Sequence, residues 1–459
     1  MGAQQKPPLV SSLIPGRTLL NFKKNPLEFL DHCGRLGEVV RYRLLGPQFY
    51  LLTSPEYVKD VLFNKHADFV KGRILQKSKI FMGEGLITSE EPLHTQQRRL
   101  AQRAFHKQRL ETYARTMADL AQEFVGAWKE EESRDLHADM MQLTVRIVAK
   151  VLFSVTMESE AREIGRHFTK LIESALFFYF VPHPELVLKL PIPQLRSINA
   201  SQRHLDSMIY RFIEDGRKNR EDKGDLLSML IAAHEEETFG SQEESSRQLR
   251  DECMSLFAAG HETTANALAW TFLLLTQHPE VEEKLANEIN EVLEKRSPAV
   301  EDVPRLRYAK MVLAESMRLY PPAWIISRQA TKDYQAGRYL IPAGSFITLS
   351  PWVMHHKAEF FPDPIRFDPE RWKDDTNASK MAFRYFPFGA GPRNCIGEGF
   401  AWIEALLILA TVIQNWKFQM VPGFRVEPDA GMTLRPKPGV QVVVRKRAVF
   451  PRATVVSAD

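Results

Sequence analysis

Cysteine is scarce in this sequence: its 459 residues include only 3 cysteines, at Cys33, Cys253 and Cys395. So few cannot build the disulfide framework of a small secreted protein, which fits a reducing compartment. Each of the three must therefore be either part of the core or a reactive group. For Cys33 and Cys253 we expect burial in the core, because free cysteine is among the most commonly buried residues.

Long apolar runs are also missing. The longest, Ala405 to Ile413, is interrupted only by Thr411 and falls far short of the roughly 20 residues that span a bilayer. The first residues, Met1 to Pro8, lack the apolar run of a signal peptide. The aromatic run from Phe177 to Val181 is also too short, and it indicates a lid over a ligand site or part of the core. We therefore expect a soluble, cytoplasmic protein without a transmembrane anchor.

Neither sign of charge dominates. Lys and Arg number 61 and Asp and Glu 57, which leaves a formal net charge of +4 at pH 7. This balance is too mild, and the two signs are too interleaved, to indicate a nucleic-acid partner. Hydrophobic residues make up 44% and charged residues 26%, which excludes a disordered chain, a collagen-like repeat and a coiled coil. A chain of this length can still form one large domain.

Periodicity divides the chain into helical and β-rich segments. Apolar residues alternate from Glu38 to Leu44 and from Phe49 to Leu52, which predicts two strands joined by a turn at Gly46-Pro47. Leu249 to His278 predicts one long helix. We predict a mainly α protein with a smaller β-rich part, a single domain over residues 1–459. Its β-rich lobe is expected from about 36–70, 325–385 and 416–450, and its helical lobe from about 91–320 and 397–415.

Cys395 lies in the segment Phe388-Gly389-Ala390-Gly391-Pro392-Arg393-Asn394-Cys395-Ile396-Gly397, directly before the last predicted helix. Unpaired N–H groups and the positive dipole end at a helix N-terminus favour a thiolate, and the glycines let the backbone curl around the sulfur. Phe388 adds an apolar shield and Arg393 a nearby cation. Such a thiolate is a metal ligand or a nucleophile. Zinc is disfavoured, because no second Cys or His lies nearby at ligand spacing.

Residues Phe388 to Gly397 resemble the heme-binding loop of the cytochrome P450 family, the heme-thiolate monooxygenases, with every signature position filled. The resemblance implies that Cys395 is the proximal iron ligand of heme b (iron protoporphyrin IX), whose electron donation favours O–O cleavage on the opposite face. It covers nearly the whole chain, to about Arg447. It implies the cytochrome P450 fold, a large helical domain with a small β domain.

A second motif concerns the core. Glu315 and Arg318 share one helix face, where such a pair is usually a weak surface contact. Their apolar setting indicates burial instead. The pair resembles the Glu-x-x-Arg motif of the family, which Arg371 would complete. This resemblance implies a structural network of Glu315, Arg318 and Arg371 that supports the Cys395 loop.

A third motif lies inside the long helix. Gly260 in a helix interior costs roughly 1 kcal/mol and needs a reason; a threonine that bonds its own helix carbonyls can widen the turn there. Adjacent positions point about 100° apart, so Thr263 can face an oxygen site while Glu262 faces a water path. This resembles the acid–alcohol pair with which the family delivers protons to dioxygen. His261 is assigned no role.

The propionates of heme need cations. His94 and Arg98 are four residues apart on a predicted helix and share a face. They match family positions usually held by Trp or His and by Arg, and Arg328 and Arg393 match two further positions. The resemblance therefore implies a four-point clamp on the propionates. Singly, each arginine is more often a solvated charge.

The resemblance also implies separate proteins that supply electrons. No reductase segment flanks the matching region, so we expect electrons from a separate ferredoxin or flavodoxin and its NAD(P)H-dependent reductase. The basic run Arg98, Arg99, Arg103, Lys107 and Arg109 is either the docking face for such an acidic protein or a plain solvated helix face.

The expected reaction inserts one oxygen atom from O2 into a hydrophobic small molecule, by hydroxylation or epoxidation. Apolar stretches predicted to line its site are Phe69 to Leu86, Phe177 to Val181, Phe257, Ala258 and Ala323 to Ile326. A lipid, terpene or steroid suits them. Lys71, Arg73, Lys77 and Lys79 leave a fatty acid open.

Two alternatives share the Cys395 ligand. A peroxide-driven peroxygenase or a heme-thiolate isomerase should lack the proton-delivery pair, and this sequence has it. A non-enzymatic heme sensor would place a second protein ligand on the iron. His261 is the nearest choice, but its angular offset from Thr263 should aim it away.

Overall fold

The computed structural model describes residues 6–11, 16–44, 46–156, 161–178, 181, 183–219, 224–236, 241–373 and 381–447. The helices are α1 (Arg17–Lys24), α2 (Pro26–Arg35), α3 (Pro55–Lys59), α4 (Arg73–Met82), α5 (Leu93–Gln102), α6 (Lys107–Gly126), α7 (Leu136–Phe153), α8 (Ala161–Phe178), α9 (Pro184–Val187), α10 (Pro193–Asn219), α11 (Leu226–Glu236), α12 (Gln242–Gln277), α13 (Pro279–Leu293), α14 (Arg307–Leu319), α15 (Pro351–His355) and α16 (Glu398–Asn415).

The strands are short and lie mostly toward the two ends of the chain. They are β1 (Leu9–Val10), β2 (Val39–Arg43), β3 (Gln48–Leu52), β4 (Phe69–Lys71), β5 (Ser133–Asp135), β6 (Ile326–Ala330), β7 (Tyr334–Ala336), β8 (Tyr339–Ile341), β9 (Phe346–Leu349), β10 (Trp416–Met420), β11 (Glu427–Ala430), β12 (Leu434–Lys437) and β13 (Gln441–Lys446). The mainly α fold with a smaller β-rich part is therefore confirmed.

The largest sheet has six strands in the order β1-β2-β3-β9-β6-β4. Strands β2 and β3 pair antiparallel with Val39 opposite Leu52, so the predicted hairpin is confirmed. Parallel pairing of β3 with β9 joins the first part of the chain to its last quarter. The antiparallel pair β4–β6 then places Lys71 opposite Arg328, which positions both side chains for the site described below.

Some helices and strands were not predicted from the sequence. Strand β5 lies within the segment predicted to be helical, and it pairs with β13 at the far end of the chain. Helices α1, α2 and α4 lie outside both predicted helical ranges. Each of these elements is short, so the chain offers few periods from which to recognise it, and pairing or burial against distant segments decides its conformation.

Helix α12 is the longest element and is buried over most of its length. It begins at Gln242, earlier than the predicted Leu249. The reason is a capping box: Ser241 Oγ accepts from the Glu244 N–H at 3.2 Å, and Glu244 Oε2 accepts from the Ser241 N–H at 2.7 Å. Two N–H groups that a helix start would leave unpaired are thereby satisfied.

The two cysteines expected in the core are there: Cys33 and Cys253 are fully buried. Burial raises the pKa of Cys33 to about 12 and raises that of Cys253 as well. Both thiols are therefore neutral and inert at ordinary pH. Among the described residues, no helix combines the length and the apolar character needed to cross a membrane.

Candidate active site

A cavity of about 360 Å³ lies between α12 and the loop that carries Cys395. It contains most of the residues that the sequence analysis selected for chemistry: His94, Arg98, Thr263, Arg328, Phe388, Arg393 and Cys395. Glu262 is absent from the lining. These residues come from four separate parts of the chain and meet at one site.

The Cys395 loop owes its shape to two glycines. Gly389 and Gly391 both have φ of +72°, in the left-handed region that disfavours other residues. A Cβ on Gly391 would lie 1.9 Å from the carbonyl oxygen of Leu62, so this position also needs the missing side chain for packing. The Cys395 N–H donates to the Phe388 carbonyl at 2.9 Å and closes the loop. The sulfur thereby opens on the cavity.

Arg98 braces this loop from α5. Its Nη1 donates to the Asn394 carbonyl at 2.8 Å and its Nη2 to Asn394 Oδ1 at 2.6 Å. The guanidinium lines the cavity next to the Cys395 sulfur, but these donors are committed to the neighbouring residue. Its contacts therefore make Arg98 a support for the loop.

The thiol of Cys395 differs from the expectation of a preformed thiolate. Burial raises its pKa, and the carboxylate of Glu398 adds to the effect. The Gly397 N–H and the charge of Arg98 lower the pKa, but they only partly offset the burial. The loop and the helix N-terminus alone thus leave the thiol protonated at neutral pH, and a bound cation is needed to hold the thiolate.

On the opposite wall, α12 presents Thr263 to the cavity. The Thr263 hydroxyl donates back to the Ala259 carbonyl at 3.0 Å, as expected from the motif. Gly260, which also lines the cavity, has a packing reason: a Cβ there would lie 3.0 Å from Val148 on α7. The two helices therefore approach closely where the cavity begins.

Glu262 points away from the cavity and is almost fully buried. Its Oε1 accepts from the hydroxyl of Thr433, which in turn accepts from Asn266 Nδ2 at 3.1 Å. Asn266 Oδ1 lies 2.8 Å from Nε2 of His137, a half-exposed residue near the start of α7. The other carboxylate oxygen of Glu262 has no hydrogen-bond partner among the described residues. A polar chain therefore connects this buried acid toward the protein surface.

His261 lies on another face of α12. Its Nδ1–H donates to the Phe257 carbonyl at 2.8 Å, and its ring packs against Phe168 and Phe257. It does not line the cavity. As expected from the angular offset, the side chain is aimed away from Cys395.

The predicted apolar lining is only partly confirmed. Ala323 and Ile326 line the cavity, as do Leu75 and Leu86 from the range 69–86. Phe257 does not: its ring stacks on Phe168 at a centroid distance of 4.9 Å.

The neighbours Leu256 and Ala259 line the cavity instead of Phe257 and Ala258, because the helix phase turns the predicted pair away. Phe177, Phe178 and Val181 are outside the lining as well. The remaining positions of that run, 179 and 180, lie outside the described residues.

One end of the cavity is crowded with cations. Arg328 is buried, and Lys71, opposite it in the sheet, donates its Nζ–H to the Leu86 carbonyl at 2.8 Å. Burial and the neighbouring charge of Arg393 lower the pKa of Lys71 to about 7 and that of Arg328 to about 10. Two groups of Arg393, Nε and Nη1, are buried without a hydrogen-bond partner among the described residues. The carboxylate of Glu90 lies 2.7 Å from Arg393 Nη2, which leaves those two buried N–H groups of Arg393 open to a further anion.

His94 lies at the same end and is buried. Its Nδ1 is 3.1 Å from Glu91 Oε1, so Nδ1 carries a proton that it donates to the carboxylate. Burial and the charge of Lys71 lower the pKa of the ring to about 4. The ring is therefore neutral at pH 7, with its proton on Nδ1 and none on Nε2. Nε2 can donate a hydrogen bond to a ligand only if the negative charge of that ligand favours the protonated ring.

Behind the Cys395 loop, Glu315 and Arg318 form a fully buried ion pair on α14. Two parallel hydrogen bonds of 2.8 and 2.9 Å join them, and Arg371 Nε adds a third contact to the carboxylate at 3.1 Å. The predicted network of three residues is thus present. Trp372 Nε1 also donates to Glu315, at 3.0 Å, and was not foreseen.

The same network reaches the loop through His355. Arg318 Nη1 donates to the carbonyl of His355 at 3.0 Å, and His355 Nε2 accepts from the Phe386 N–H at 3.1 Å. Phe386 lies just before Phe388, where the Cys395 loop begins. The buried pair therefore holds the backbone that carries the cysteine.

A family model described as Cytochrome P450 matches residues 7–444. The chain belongs to the cytochrome P450 family. "Cyclooctatin synthase" of Streptomyces melanosporofaciens is 36% identical over 426 residues, which are 93% of this chain and 92% of that protein. "Cyclooctat-9-en-7-ol 5-monooxygenase" of the same organism is 36% identical over 408 residues, 89% of this chain and 88% of the relative. "Pentalenene oxygenase" of Streptomyces avermitilis is 31% identical over 412 residues, 90% and 91% of the two chains.

Cytochromes P450 are monooxygenases that bind heme b through a cysteine thiolate, and the cavity of this cytochrome P450 fits that group. Cys395 offers the sulfur ligand from one wall. The propionate carboxylates of heme b are anions that would pair with the N–H groups of Arg393 that have no partner among the described residues. Iron coordination would also remove the proton that burial retains on Cys395.

Four residues of the site were not predicted in these roles: Lys71, Asn394, Trp372 and Thr433. Asn394 and Trp372 are adjacent in sequence to motif residues and carry side chains that can form hydrogen bonds. These two features would have been enough to select them as candidates. Lys71 was considered only as an anchor for a fatty acid. Thr433 lies 171 residues from Glu262 in sequence, and no local pattern marks it.

We predict that Glu315→Gln destabilises this cytochrome P450 by about 3–5 kcal/mol, because it leaves buried Arg318 without its countercharge. The measurement is the free energy of unfolding in urea. The matched control is Glu370→Gln, which breaks an exposed ion pair with Lys284 and should cost about 0–1 kcal/mol. Equal losses in the two variants would contradict the structural role of the buried pair.

Proposed function

We propose that this cytochrome P450 inserts one oxygen atom from O2 into a terpene hydrocarbon or terpene alcohol, with electrons from a separate ferredoxin or flavodoxin and its NAD(P)H-dependent reductase. The observation that carries the proposal is the cavity in which Cys395 faces Thr263 across an apolar lining. The names of the relatives, which refer to pentalenene and to cyclooctat-9-en-7-ol, support the same substrate class.

The lining favours an uncharged substrate over a fatty acid. Away from the cationic end, the walls consist mainly of Leu75, Ile87, Leu152, Leu256, Ala259, Ala323 and Ile326. Lys71 lies at the cationic end, which the propionates of heme b would occupy, and Lys79 forms an ion pair of 2.6 Å with Glu84. Arg73, Lys77 and Lys79 do not line the cavity. A carboxylate of a fatty acid would therefore lack an anchor on the apolar side.

Heme b bound through Cys395 would supply the activation of O2 and the transfer of oxygen. Phe388 and Phe105, which line the cavity on the side of the Cys395 loop, would limit the access of water to the thiolate. Lys71, His94, Arg328 and Arg393 would hold the propionates, and Arg98 would hold the loop through Asn394. These proposed roles are supported by side chains that line the cavity.

Thr263 and Glu262 are the proposed proton-delivery pair. The hydroxyl of Thr263 lies on the cavity side of α12 and donates its single proton to the Ala259 carbonyl, so it can accept a hydrogen bond from a group in the cavity. It would pass a proton on only after rotating away from that carbonyl. Glu262 lies behind it, held by Thr433 and connected toward the surface through Asn266 and His137. The unpartnered Oε2 of Glu262 leaves one oxygen available for exchange.

The docking face for an electron donor is proposed at the start of α6 and the end of α5. Arg103 and Lys107 are exposed there. Phe105 lies between them in sequence and lines the cavity. Its ring packs near Gly397, because a Cβ added to that glycine would lie 3.7 Å from the ring. An acidic protein on this face would be near the cysteine ligand, and its association would weaken with salt.

The substrate class is tested by the spin-state change of the ferric heme protein in absorbance titrations. We expect pentalenene to shift the Soret band to shorter wavelength with saturation, because an apolar ligand displaces water near the iron. Dodecanoic acid is the matched control for an anchored lipid and should give a weaker shift. A saturating shift with dodecanoic acid and none with pentalenene would reject the terpene proposal in favour of a fatty acid.

Cys395→Ala should abolish the strongly red-shifted Soret band of the reduced, carbon monoxide-bound protein, because only a thiolate ligand produces it. Cys253→Ala, a variant of a buried cysteine outside the cavity, should keep the band. Retention of the band in Cys395→Ala would remove Cys395 as the ligand. A wild-type spectrum of the histidine-ligated kind would support the alternative of a heme sensor.

Thr263→Ala should lower product formation by about tenfold or more and divert electrons to hydrogen peroxide, because positioned proton donors contribute about 10²- to 10⁴-fold. The measurement is product and peroxide per NAD(P)H consumed. In the same assay Thr433→Val, which removes the donor to Glu262, should raise peroxide, whereas Thr433→Ser should restore coupling. Unchanged coupling in Thr263→Ala, with activity driven by added peroxide, would favour the peroxygenase alternative.

A further inference from the structure

Three side chains with metal-binding atoms meet on the outside of the helical body, apart from the heme cavity. Glu163 and His167 lie one turn apart on α8, and His204 faces them from α10. One ligand atom from each lies within 4.8 Å of the other two. Glu163 and His204 are exposed and His167 is half-buried, so an ion from solvent can reach the group.

We propose that Glu163, His167 and His204 form a binding site for a divalent transition-metal ion, of which Zn²⁺ is the best match, and that the ion links α8 to α10. Imidazole nitrogen and carboxylate oxygen are the donors that Zn²⁺ takes in proteins. Three protein ligands on an open surface leave the fourth position to water.

The hydrogen bonds of His167 indicate which of its nitrogens would bind the ion. The Ser201 hydroxyl donates to the Ser197 carbonyl at 3.2 Å, so it accepts from His167 Nδ1–H at 3.0 Å. Nε2 then carries the lone pair of the neutral ring. A ligating histidine commonly has its other nitrogen oriented by such a partner.

Nε2 of His167 points at a carboxylate, 3.6 Å from Glu163 Oε1. A lone pair facing a carboxylate is unfavourable unless a proton or a metal ion lies between them. A metal ion between Nε2 and the carboxylate would replace this contact by two coordination bonds.

The second imidazole is already close. The ring centroids of His167 and His204 are 4.5 Å apart with an angle of 33° between the planes. Nitrogen ligands at about 2.0–2.1 Å from a tetrahedral Zn²⁺ lie about 3.4 Å from each other, so small side-chain rotations complete the geometry. A second contact, between Lys170 and Ser197, joins the same two helices. The backbones thus need not move.

Such an ion would restrain α8, whose inner face packs near the heme cavity. Phe168 stacks on Phe257 of α12, and Phe178 contacts Phe81 of α4. Leu75, also on α4, lines the cavity. The expected consequence of binding is a more stable α8–α10 pair.

The test is a Zn²⁺ titration of the chelator-treated, heme-loaded protein without an affinity tag, in competition with a fluorescent chelator. We expect one tight Zn²⁺ per chain, a higher Tm with Zn²⁺, and at least tenfold weaker binding in His204→Ala and in Glu163→Gln. Tetrahedral Co²⁺ absorption should appear in the wild type and disappear in His204→Ala. The unchanged heme spectrum checks that the variants fold.

His183→Ala is the matched control. His183 and Glu185 form an exposed histidine–carboxylate pair at 3.1 Å, with the same donor types as the proposed site. Its loss should leave the tight Zn²⁺ unaffected. If wild type and His204→Ala bind Zn²⁺ equally, or if His183→Ala weakens binding as much, the site is rejected and His167 forms only an ion pair with Glu163.

Discussion

Glu315 and Arg318 carry opposite charges in a part of the protein that water does not reach, and much of the structure is arranged to satisfy them. Removing either charge from water costs several kcal/mol, so the pair is tolerated only with nearly complete hydrogen bonding. Arg371 and Trp372 donate further hydrogen bonds to the carboxylate of Glu315. The guanidinium of Arg318 donates to backbone carbonyls as well. This requirement binds α14 to the segment 355–372 and, through His355, to the backbone just before the cysteine loop. The buried pair thereby helps to position the backbone that leads to Cys395.

Two parts of the cavity are electrostatically incomplete: the uncharged thiol of Cys395 and the cluster of cations at one end. Heme b would satisfy both. Burial raises the pKa of the Cys395 thiol, and burial together with the neighbouring charge of Arg393 lowers the pKa values of Lys71 and Arg328. Bound heme b would bring a metal cation to the sulfur of Cys395 and carboxylates to the cationic end. The fit is therefore electrostatic as well as steric, and neither imbalance can be read from the signature loop alone.

Helix α12 assigns three consecutive residues to three environments. His261 enters an aromatic cluster, Glu262 joins a polar chain that leads toward the surface, and Thr263 faces the cavity. The 100° step of an α-helix is sufficient for this separation. The same step places Leu256 and Ala259 in the lining, where Phe257 and Ala258 had been expected. The sequence therefore identified the correct segment of the helix but not the face that lines the cavity.

The sequence by itself determined the local features of this cytochrome P450: the glycines that permit the Cys395 loop, the i, i+3 spacing of Glu315 and Arg318, and the succession of residues on α12. These depend on backbone conformation and helix period, which nearby residues control. The tertiary structure alone decided that Lys71 pairs with Arg328 across a sheet, that Thr433 holds Glu262, and that His204 meets His167. Such contacts join segments that are far apart in the chain, and their partners are selected by how the helices and sheets pack around the core.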